Sequence, residues 1–250
     1  FGVVKQLKWA FSKKSGKKRY KVGHAGTLDP LASGLLIICA GKKTKEISQY
    51  QGLAKEYTGI ITIGATTPSY DLETEIDKTF DTDSITEQQI KATALSFIGV
   101  NEQLPPVHSA KKIDGKRAYN YARNGEEVKM KPSIVHIHAF DVTKIEGVNI
   151  HFRIECSKGT YIRSIAYDFG NRLNNGAHLS KLRRTKIGDF KVEDALQVDE
   201  AKKHSAWGED YIWYQPNKRF LRWFQINGIE HDLILSLNQP DEDEEYYLKR

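Results

Sequence analysis

The sequence predicts an α+β fold, and three observations support that prediction. Alternating apolar and polar residues, which are typical of half-buried strands, occupy 134–142 and 148–157. Apolar residues at helical spacing mark the beginning of the chain and the segment after residue 160. The two patterns do not alternate strictly along the chain, as they would in a series of βαβ units, which favours α+β over α/β.

The first half of the chain is predicted to begin with a helix and continue with two strands. "FGVVKQLKWAF" has the spacing of a helix with one apolar face, and "SGLLIICAG" has the apolar run of a buried strand. A second strand is predicted at 55–67. Thr86 and Gln89 form a capping-box pattern, which opens a helix that ends near Ile98.

The second half contains the two alternating strands and a further helix. That helix is predicted within "KGTYIRSIAYDFGNRL", whose apolar residues recur at helical spacing. A long basic and aromatic segment, 103–132, precedes the strands. The composition changes near 191–204, so we expect a main domain at 1–190 and a C-terminal segment of undetermined type at 191–250.

Charge and cysteine usage narrow the class of protein. The 250 residues carry a net charge of +6, which favours a polyanionic partner without separating nucleic acid from a membrane surface. No apolar run approaches the roughly 20 residues of a membrane-spanning helix. Cys39 and Cys156 lie in apolar segments and are predicted to be buried free thiols, as in a reducing cytoplasm. Because the chain starts at Phe1 without Met, we expect residues upstream of it.

Several common chemistries lack their motifs in this sequence. There is no GxxxxGK[ST] phosphate loop and no GxSxG nucleophile elbow. His136 and His138 form an HxH pair, but no nearby cysteine or carboxylate pair completes a metal site. The sequence therefore predicts neither a metal nor another cofactor.

Asp29 is the most informative single residue. Residues 1–28 contain eight Lys or Arg and no acid, so Asp29 is the first carboxylate of the chain. Pro30 pushes Asp29 towards an extended conformation, Leu28 and Leu31 would exclude water, and nearby cations favour the ionised carboxylate that a nucleophile requires. Three glycines allow a ligand close to the backbone: Gly23, Gly26 and Gly34. The alternative is an ordinary Asp-Pro turn.

The stretch around Asp29 resembles a known catalytic motif. "GHAGTLDPLASGLL" is similar to that of the TruB-type pseudouridine synthases, the bacterial tRNA pseudouridine-55 synthases. "KEYTG", "SKGTYIRSIAYDFG" and "LRRTKIGDF" resemble three further family motifs in the expected order, and "PPVHSAKKIDGKRAYNYARNG" resembles the RNA-gripping insertion of the family. The resemblance covers about 1–190, and on it the chain is identified as a member.

The resemblance implies a fold and a set of catalytic residues. The fold is the pseudouridine synthase fold, a mixed and mainly antiparallel sheet with flanking helices, here with the RNA-gripping insertion at 103–132. Asp29 matches the catalytic aspartate, and Arg163 matches the arginine that pairs with it. Tyr57 matches the tyrosine that stacks on the flipped base and is a candidate for handling its C5 proton.

The resemblance also implies substrate contacts. His24 matches the histidine that takes the place of the extruded base, and Leu182 matches an apolar residue against the base. Asp71 matches an aspartate near the site, and Tyr161 lies beside Arg163 in the same motif. Lys111 and Arg123 belong to the insertion and are expected to bind RNA. Phosphates are expected along three basic segments: 5–21, 111–131 and 181–186.

The implied reaction isomerises uridine 55 in the T loop of tRNA, without a metal or other cofactor. The glycosidic bond breaks and C5 joins C1′, with Asp29 attacking C1′ or removing the 2′ proton. We expect the tRNA T-arm as partner, no membrane and no obligate protein partner, and a cytoplasmic monomer. The alternatives are an RNA-binding module with vestigial catalysis and the guide-RNA-dependent branch of the superfamily, which would bring a recognisable C-terminal RNA-binding domain. Two features depart from the family pattern, because no Lys-Pro strand precedes the first helix and the tail does not resemble the usual small C-terminal domain.

Overall fold

A computed structural model describes residues 2–16, 18–109, 111–113, 116–118, 130–204 and 234–239. The chain forms two compact units. The first unit consists of 1–53 and 184–250, and the second unit consists of 54–183. No helix in the described ranges has both the length and the apolar character needed to span a membrane.

The helices, in chain order, are α1 (Gly2–Ser15), α2 (Ile47–Gly52), α3 (Glu87–Leu95), α4 (Ile162–Arg172) and α5 (Val198–His204), with short 3-10 helices at Gly41–Glu46 and Val192–Asp194. The strands are β1 (Val22–His24), β2 (Ala32–Ala40), β3 (Lys55–Ile63), β4 (Ala65–Thr66), β5 (Lys78–Thr79), β6 (Gly99–Gln103), β7 (Lys112–Ile113), β8 (Lys116–Arg117), β9 (Ser133–Glu146), β10 (Asn149–Cys156), β11 (Ala177–Ile187), β12 (Phe190–Lys191), β13 (Leu196–Gln197) and β14 (Ile234–Gln239).

The first unit is built around β2, whose nine residues are all buried. Alternate side chains of β2 enter two different apolar clusters. Leu36 and Ile38 pack with Leu7 and Phe11 of α1. On the other face, Leu35, Ile37 and Cys39 pack with Ala25, Ile187 and Val192. Because both faces are covered, the strand is a continuous apolar run rather than an alternating one.

The strands of the first unit follow the order β13-β14-β2, and the end of β11, from Arg184 onwards, lies on the other side of β2. β14 and β1 both run antiparallel to β2. β13 runs parallel to β14. The loop that connects β1 to β2 carries Asp29.

The second unit contains a sheet in the order β11-β3-β10-β9-β6, in which the strands from β3 to β6 pair antiparallel. Every second residue of β10 is buried, as expected for a strand with one covered face. Phe97, just after α3, and Phe169 of α4 both contact Phe140 of β9, with ring centroids 5.8 Å apart in each pair. Both helices therefore pack on the same face of the sheet.

The predicted α+β class and the mainly antiparallel sheet are confirmed. Thr86 caps α3 with both bonds of the capping box. That helix ends at Leu95, because Gly99 soon follows with a φ of 106° and β6 begins there. Gly64, with a φ of 91°, ends β3 before the predicted residue 67.

Two further outcomes concern the cysteines and the C-terminal part of the chain. Both cysteines are buried free thiols, as predicted, and burial raises the pKa of each thiol to about 11. The basic stretch 179–190 mostly forms β11, a strand that the sequence analysis did not predict. The predicted domain boundary between residues 190 and 191 stays a prediction.

Candidate active site

Asp29 lies in a tight turn between β1 and β2. The Asp29 carbonyl accepts a hydrogen bond from the Ala32 N–H at 3.0 Å, which closes a four-residue turn with Pro30 in its second position. Proline is favoured in that position because its φ is already fixed. The Asp-Pro turn therefore exists, and it also holds a half-buried carboxylate at a fixed point of the loop.

Arg184 bonds to the same loop from β11. Its side chain is almost completely buried, with 1% of the residue exposed. The guanidinium donates from Nε to the Leu35 carbonyl at 2.7 Å, from Nη2 to Gly26 at 3.2 Å and from Nη1 to Thr27 at 3.4 Å. The expectation that the whole basic segment 181–186 binds phosphates is wrong for this residue, because Arg184 points into the core of the first unit.

The two leucines beside Asp29 differ in their surroundings. Leu28 is half-buried and packs against the cluster that contains Leu7 and Phe11. Leu31 is 38% exposed. Leu28 therefore fixes the loop to the core of the first unit, and the expectation that the two leucines exclude water from the site stays a prediction.

His24 lies at the other end of the loop, where it ends β1 opposite Ile38. Burial lowers the pKa of His24 from its usual value of 6.5. The imidazole is therefore neutral at physiological pH.

Arg163 is the second residue of α4 and is 3% exposed. Its Nε lies 3.5 Å from Asp71 Oδ2. Nη1 donates to the Ser69 carbonyl at 3.3 Å, and Nη2 donates to the His108 carbonyl at 3.0 Å. The second unit thus brings together two predicted site residues, Arg163 and Asp71, as a buried ion pair.

The loop that carries Asp71 is itself fixed by hydrogen bonds. The Thr67 hydroxyl donates to the Asp71 carbonyl at 2.6 Å, and the Glu73 N–H donates to Asp71 Oδ1 at 3.0 Å. The preceding residue, Tyr70, adopts a φ of 66°, which is unusual for a residue other than glycine. Its ring stacks on Tyr167 of α4, with centroids 4.1 Å apart. This stacking contact helps to offset the unfavourable backbone conformation.

Gln103 is a buried residue that supports the start of α4 and that sequence reasoning missed. Its side chain accepts from the Tyr161 N–H at 2.8 Å and donates to the Tyr161 carbonyl at 3.1 Å. Both polar groups of the Tyr161 backbone, at the start of α4, are therefore bonded to one buried amide. No local pattern in the sequence marks this glutamine, because its partner lies 58 residues away.

The remaining predicted residues of the second unit take different positions. Tyr57 is half-buried on β3, opposite Ile154 of β10. Leu182 is buried on β11. Lys111 donates from Nζ to the Lys131 carbonyl and to the Ser133 hydroxyl, both at 2.9 Å, so it ties the two ends of the insertion together. Arg123 lies outside the described residues.

The geometry leaves the predicted catalytic and substrate-binding roles as predictions, including the pairing of Arg163 with Asp29. His136 and His138 lie exposed on β9 with ring centroids 4.5 Å apart. Within the described ranges, no three or more His, Cys, Asp or Glu side chains are grouped as metal ligands would be.

Comparison with solved structures identifies chains of similar fold. The chain is similar to one in a crystal structure of a Cbf5–Nop10–Gar1 complex, with a TM-score of 0.57 and 26% identity over 91% of this chain and 52% of that one. It is also similar to a chain in an H/ACA RNP bound to a substrate RNA containing 2′-deoxyuridine, with a TM-score of 0.58 and 23% identity. The present chain spans about half the length of these chains, 52% and 51% respectively. Fold and motifs together define a pseudouridine synthase.

Comparison with sequence families identifies the particular family. The model of the TruB family pseudouridylate synthase N-terminal domain matches residues 12–162, and that of the tRNA pseudouridylate synthase B C-terminal domain matches residues 163–214. The chain belongs to the TruB family and is an isomerase. The C-terminal match extends past residue 190, so part of the segment left unassigned by sequence reasoning belongs to this family pattern.

Close relatives are known from several bacteria. A protein of Flavobacterium johnsoniae named tRNA pseudouridine synthase B is 56% identical over 79% of this chain and 87% of its own length. Proteins of the same name from Phocaeicola vulgatus and Chloroherpeton thalassium are each 50% identical over 80% of this chain, and over 85% and 83% of their own lengths.

Proposed function

We propose that this enzyme isomerises uridine 55 in the T loop of tRNA to pseudouridine, with Asp29 as the catalytic carboxylate. The observation that carries the proposal is the fixed Asp-Pro turn within "GHAGTLDP", in a chain of the TruB family. The names of the relatives, tRNA pseudouridine synthase B, support tRNA as the substrate.

The proposed reaction depends mainly on one ionised carboxylate. The N1–C1′ bond of uridine breaks, the uracil turns within the pocket, and C5 bonds to C1′ while the C5 proton is lost and N1 regains a proton. Positive character develops at C1′ as the first bond breaks, which an ionised Asp29 can stabilise. Asp29 either attacks C1′ and is later released, or removes the 2′ proton and later returns it. In both routes substrate and product have the same atoms and oxidation state.

Base flipping assigns roles to the aromatic residues. A stacked uridine cannot reach a carboxylate, so it must leave the RNA stack at a cost of about a few kcal/mol. His24 would offset part of that cost by stacking in its place, and its lowered pKa keeps the ring neutral for that purpose. Tyr57 would stack on the flipped base and would take part in removing the C5 proton.

Arg163 is proposed to hold the Asp29 carboxylate in its ionised form. The support for this role is that the guanidinium is already immobilised by Asp71 and by two backbone carbonyls. An immobile arginine can fix a carboxylate by two parallel bonds, whereas a mobile one would lose conformational entropy on pairing.

Binding of the RNA is proposed to depend mainly on phosphate contacts and on the shape of the T-arm. The positive net charge of the chain supports this. We further propose a cytoplasmic enzyme that works as a monomer, without an obligate protein partner, a guide RNA or a metal.

The decisive experiment uses an unmodified tRNA transcript and maps any pseudouridine that forms. We expect conversion at position 55 only, in the presence of a chelator and without any added RNA. A transcript with cytidine at position 55 serves as the control and should yield no pseudouridine. Binding without product would support the vestigial alternative, and a requirement for a second RNA would support the guide-dependent one.

A matched variant tests Asp29 itself. Asp29→Asn keeps the size of the side chain and removes its charge, so product formation should cease while RNA affinity stays within about tenfold. Continued turnover by the purified variant would remove Asp29 from the catalytic role.

A further inference from the structure

We propose that Arg184 is a positioning residue, which fixes the Asp29 loop for the chemical step rather than binding RNA. The inference rests on the proposed catalytic role of Asp29. Arg184 and the loop both belong to the first unit, and the contacts between them lie within that unit alone.

The guanidinium bonds to two separate segments. Leu35 belongs to β2, whereas Gly26 and Thr27 belong to the loop between β1 and β2. One rigid, planar group therefore joins the beginning of the loop to the strand that follows it. The backbones of Gly34 and Arg184 also lie close together. A Cβ added to Gly34 would lie 2.2 Å from the Arg184 carbonyl oxygen.

These contacts confine Asp29 from both sides. On one side, the carbonyls of Gly26 and Thr27 are bonded to Arg184. On the other side, the turn bond from Ala32 closes the loop directly after Asp29. The carboxylate is therefore carried on a short stretch with both ends fixed, which limits how far its oxygens can move relative to a bound substrate.

Only a guanidinium can make this set of bonds. Its donors are spread over three nitrogens in one plane, whereas a lysine has a single nitrogen on a flexible stem. An uncharged side chain of similar size would avoid the cost of burying a charge, but it would leave buried carbonyls without donors. Gly26 adopts a φ of 114°, a conformation that other residues rarely adopt, so the direction of its carbonyl depends on glycine at this position.

The test separates positioning from a general loss of stability. Arg184→Lys is expected to lower the single-turnover rate at saturating tRNA by about 10- to 100-fold, on the scale of displacing a catalytic group by a fraction of an ångström to 1 Å. The dissociation constant for tRNA should change by less than about threefold, because a side chain that is 1% exposed is not available to bind a phosphate.

Arg172→Lys, at an exposed arginine of the second unit, is the control for a purely structural role. Arg172 is also bonded to a backbone carbonyl, that of Ser96 at 2.9 Å, and its guanidinium lies 3.5 Å from the centre of the Phe97 ring. Losing these contacts should lower the melting temperature and leave the rate per folded molecule unchanged. If Arg184→Lys behaves in the same way as this control, Arg184 is merely structural and the inference is wrong.

A second variant keeps the buried arginine in place. Gly26→Ala changes the backbone of the loop, with room for the added methyl group since the nearest atom is 3.6 Å away. It should give the same loss of rate with RNA affinity preserved, and it decides the question if Arg184→Lys does not fold. A wild-type rate in Gly26→Ala would then overturn the inference. An inactive wild-type enzyme in the same assay would instead overturn the proposed function.

Discussion

Asp71→Asn tests how much the buried ion pair with Arg163 contributes to the second unit. The substitution keeps the shape of the side chain and removes its charge. Asp71 Oδ1 accepts from the Glu73 N–H, and Oδ2 faces Arg163. In an asparagine, one of these two positions must become an NH2 group, so a donor would face another donor in either orientation.

The expected loss of stability depends on how deeply the ion pair is buried rather than on the distance between its charged atoms. The side chains of Arg163 and Asp71 are 3% and 5% exposed, although their atoms lie 3.5 Å apart. The pair between Arg153 and Asp141 is shorter, at 3.0 Å, but its side chains are 38% and 53% exposed. Removing one partner of a buried pair costs about 3 kcal/mol or more, whereas an exposed pair contributes about 0–1 kcal/mol.

Thermal unfolding measures the difference directly. With about 2–4 °C per kcal/mol for a chain of this size, Asp71→Asn should lower the melting temperature by about 6–12 °C. Asp141→Asn, the same substitution in the exposed pair, should lower it by less than about 4 °C. Equal shifts in the two variants would refute the reasoning, because they would show that burial does not strengthen the dependence of Arg163 on its carboxylate.

Three further predictions concern the site and its surroundings. Arg163→Lys should reduce kcat by at least roughly 10²-fold with little change in RNA binding; a parental single-turnover rate at neutral pH would exclude the proposed pairing with Asp29. Tyr57→Phe keeps the stacking ring and removes the hydroxyl, so turnover should fall far more than affinity, and near-normal turnover would confine Tyr57 to stacking. Burial raises the pKa of Asp168 from 3.8 to about 6, so the wild-type protein should lose stability as the pH rises between those values. Asp168→Asn should remove that loss and be the more stable protein above about pH 6, which melting curves across pH would check.

The sequence predicted those elements whose cause is local. The capping box of Thr86 and Gln89 formed as expected, because both partners lie within one turn of helix. The run "LLIICA" became a strand covered on both faces, as its short length and continuous apolar character predicted. Asp29 could be singled out for the same kind of reason, because Pro30 restricts its backbone and the neighbouring glycines allow a ligand close to it.

What the sequence did not predict depends on distant neighbours. Arg184 sits in a basic run and has the local pattern of a phosphate-binding residue, yet its position on β11 turns it into the core, 149 residues from its partner Leu35. Gln103 is similar, since its side chain forms hydrogen bonds to the backbone of Tyr161, which is distant in the sequence. Lys111 was expected to bind RNA. Its bond to the Lys131 carbonyl could not be predicted, because it depends on how the two ends of the insertion are brought together. Such contacts follow from topology, which composition and spacing do not encode.

The two ends of the insertion at 103–132 lie next to each other, which affects how readily the insertion can change in sequence and length. Gln103 and Ser133 face each other as register partners in β6 and β9, so the chain leaves the sheet and returns to it at one place. Lys111 bonds to Lys131 and Ser133 across the same gap. Extending a loop whose ends are already neighbours costs little, about 0.6 kcal/mol for each doubling of its length.

Ala118 is fully buried and its N–H donates to the Lys111 carbonyl at 2.8 Å, so it belongs to the fixed base of the insertion. We expect that residues 119–130 can be substituted, extended or exchanged with those of a relative without disturbing the strands beside them or the hydrogen bonds that hold Arg163. A chimaera that carries a foreign 119–130 should keep its melting temperature while its RNA affinity changes, and a collapse in stability would show that this part is not separable. Because the insertion is expected to bind RNA and Asp29 is proposed to catalyse the isomerisation, we expect these two properties to evolve at different rates within a single chain.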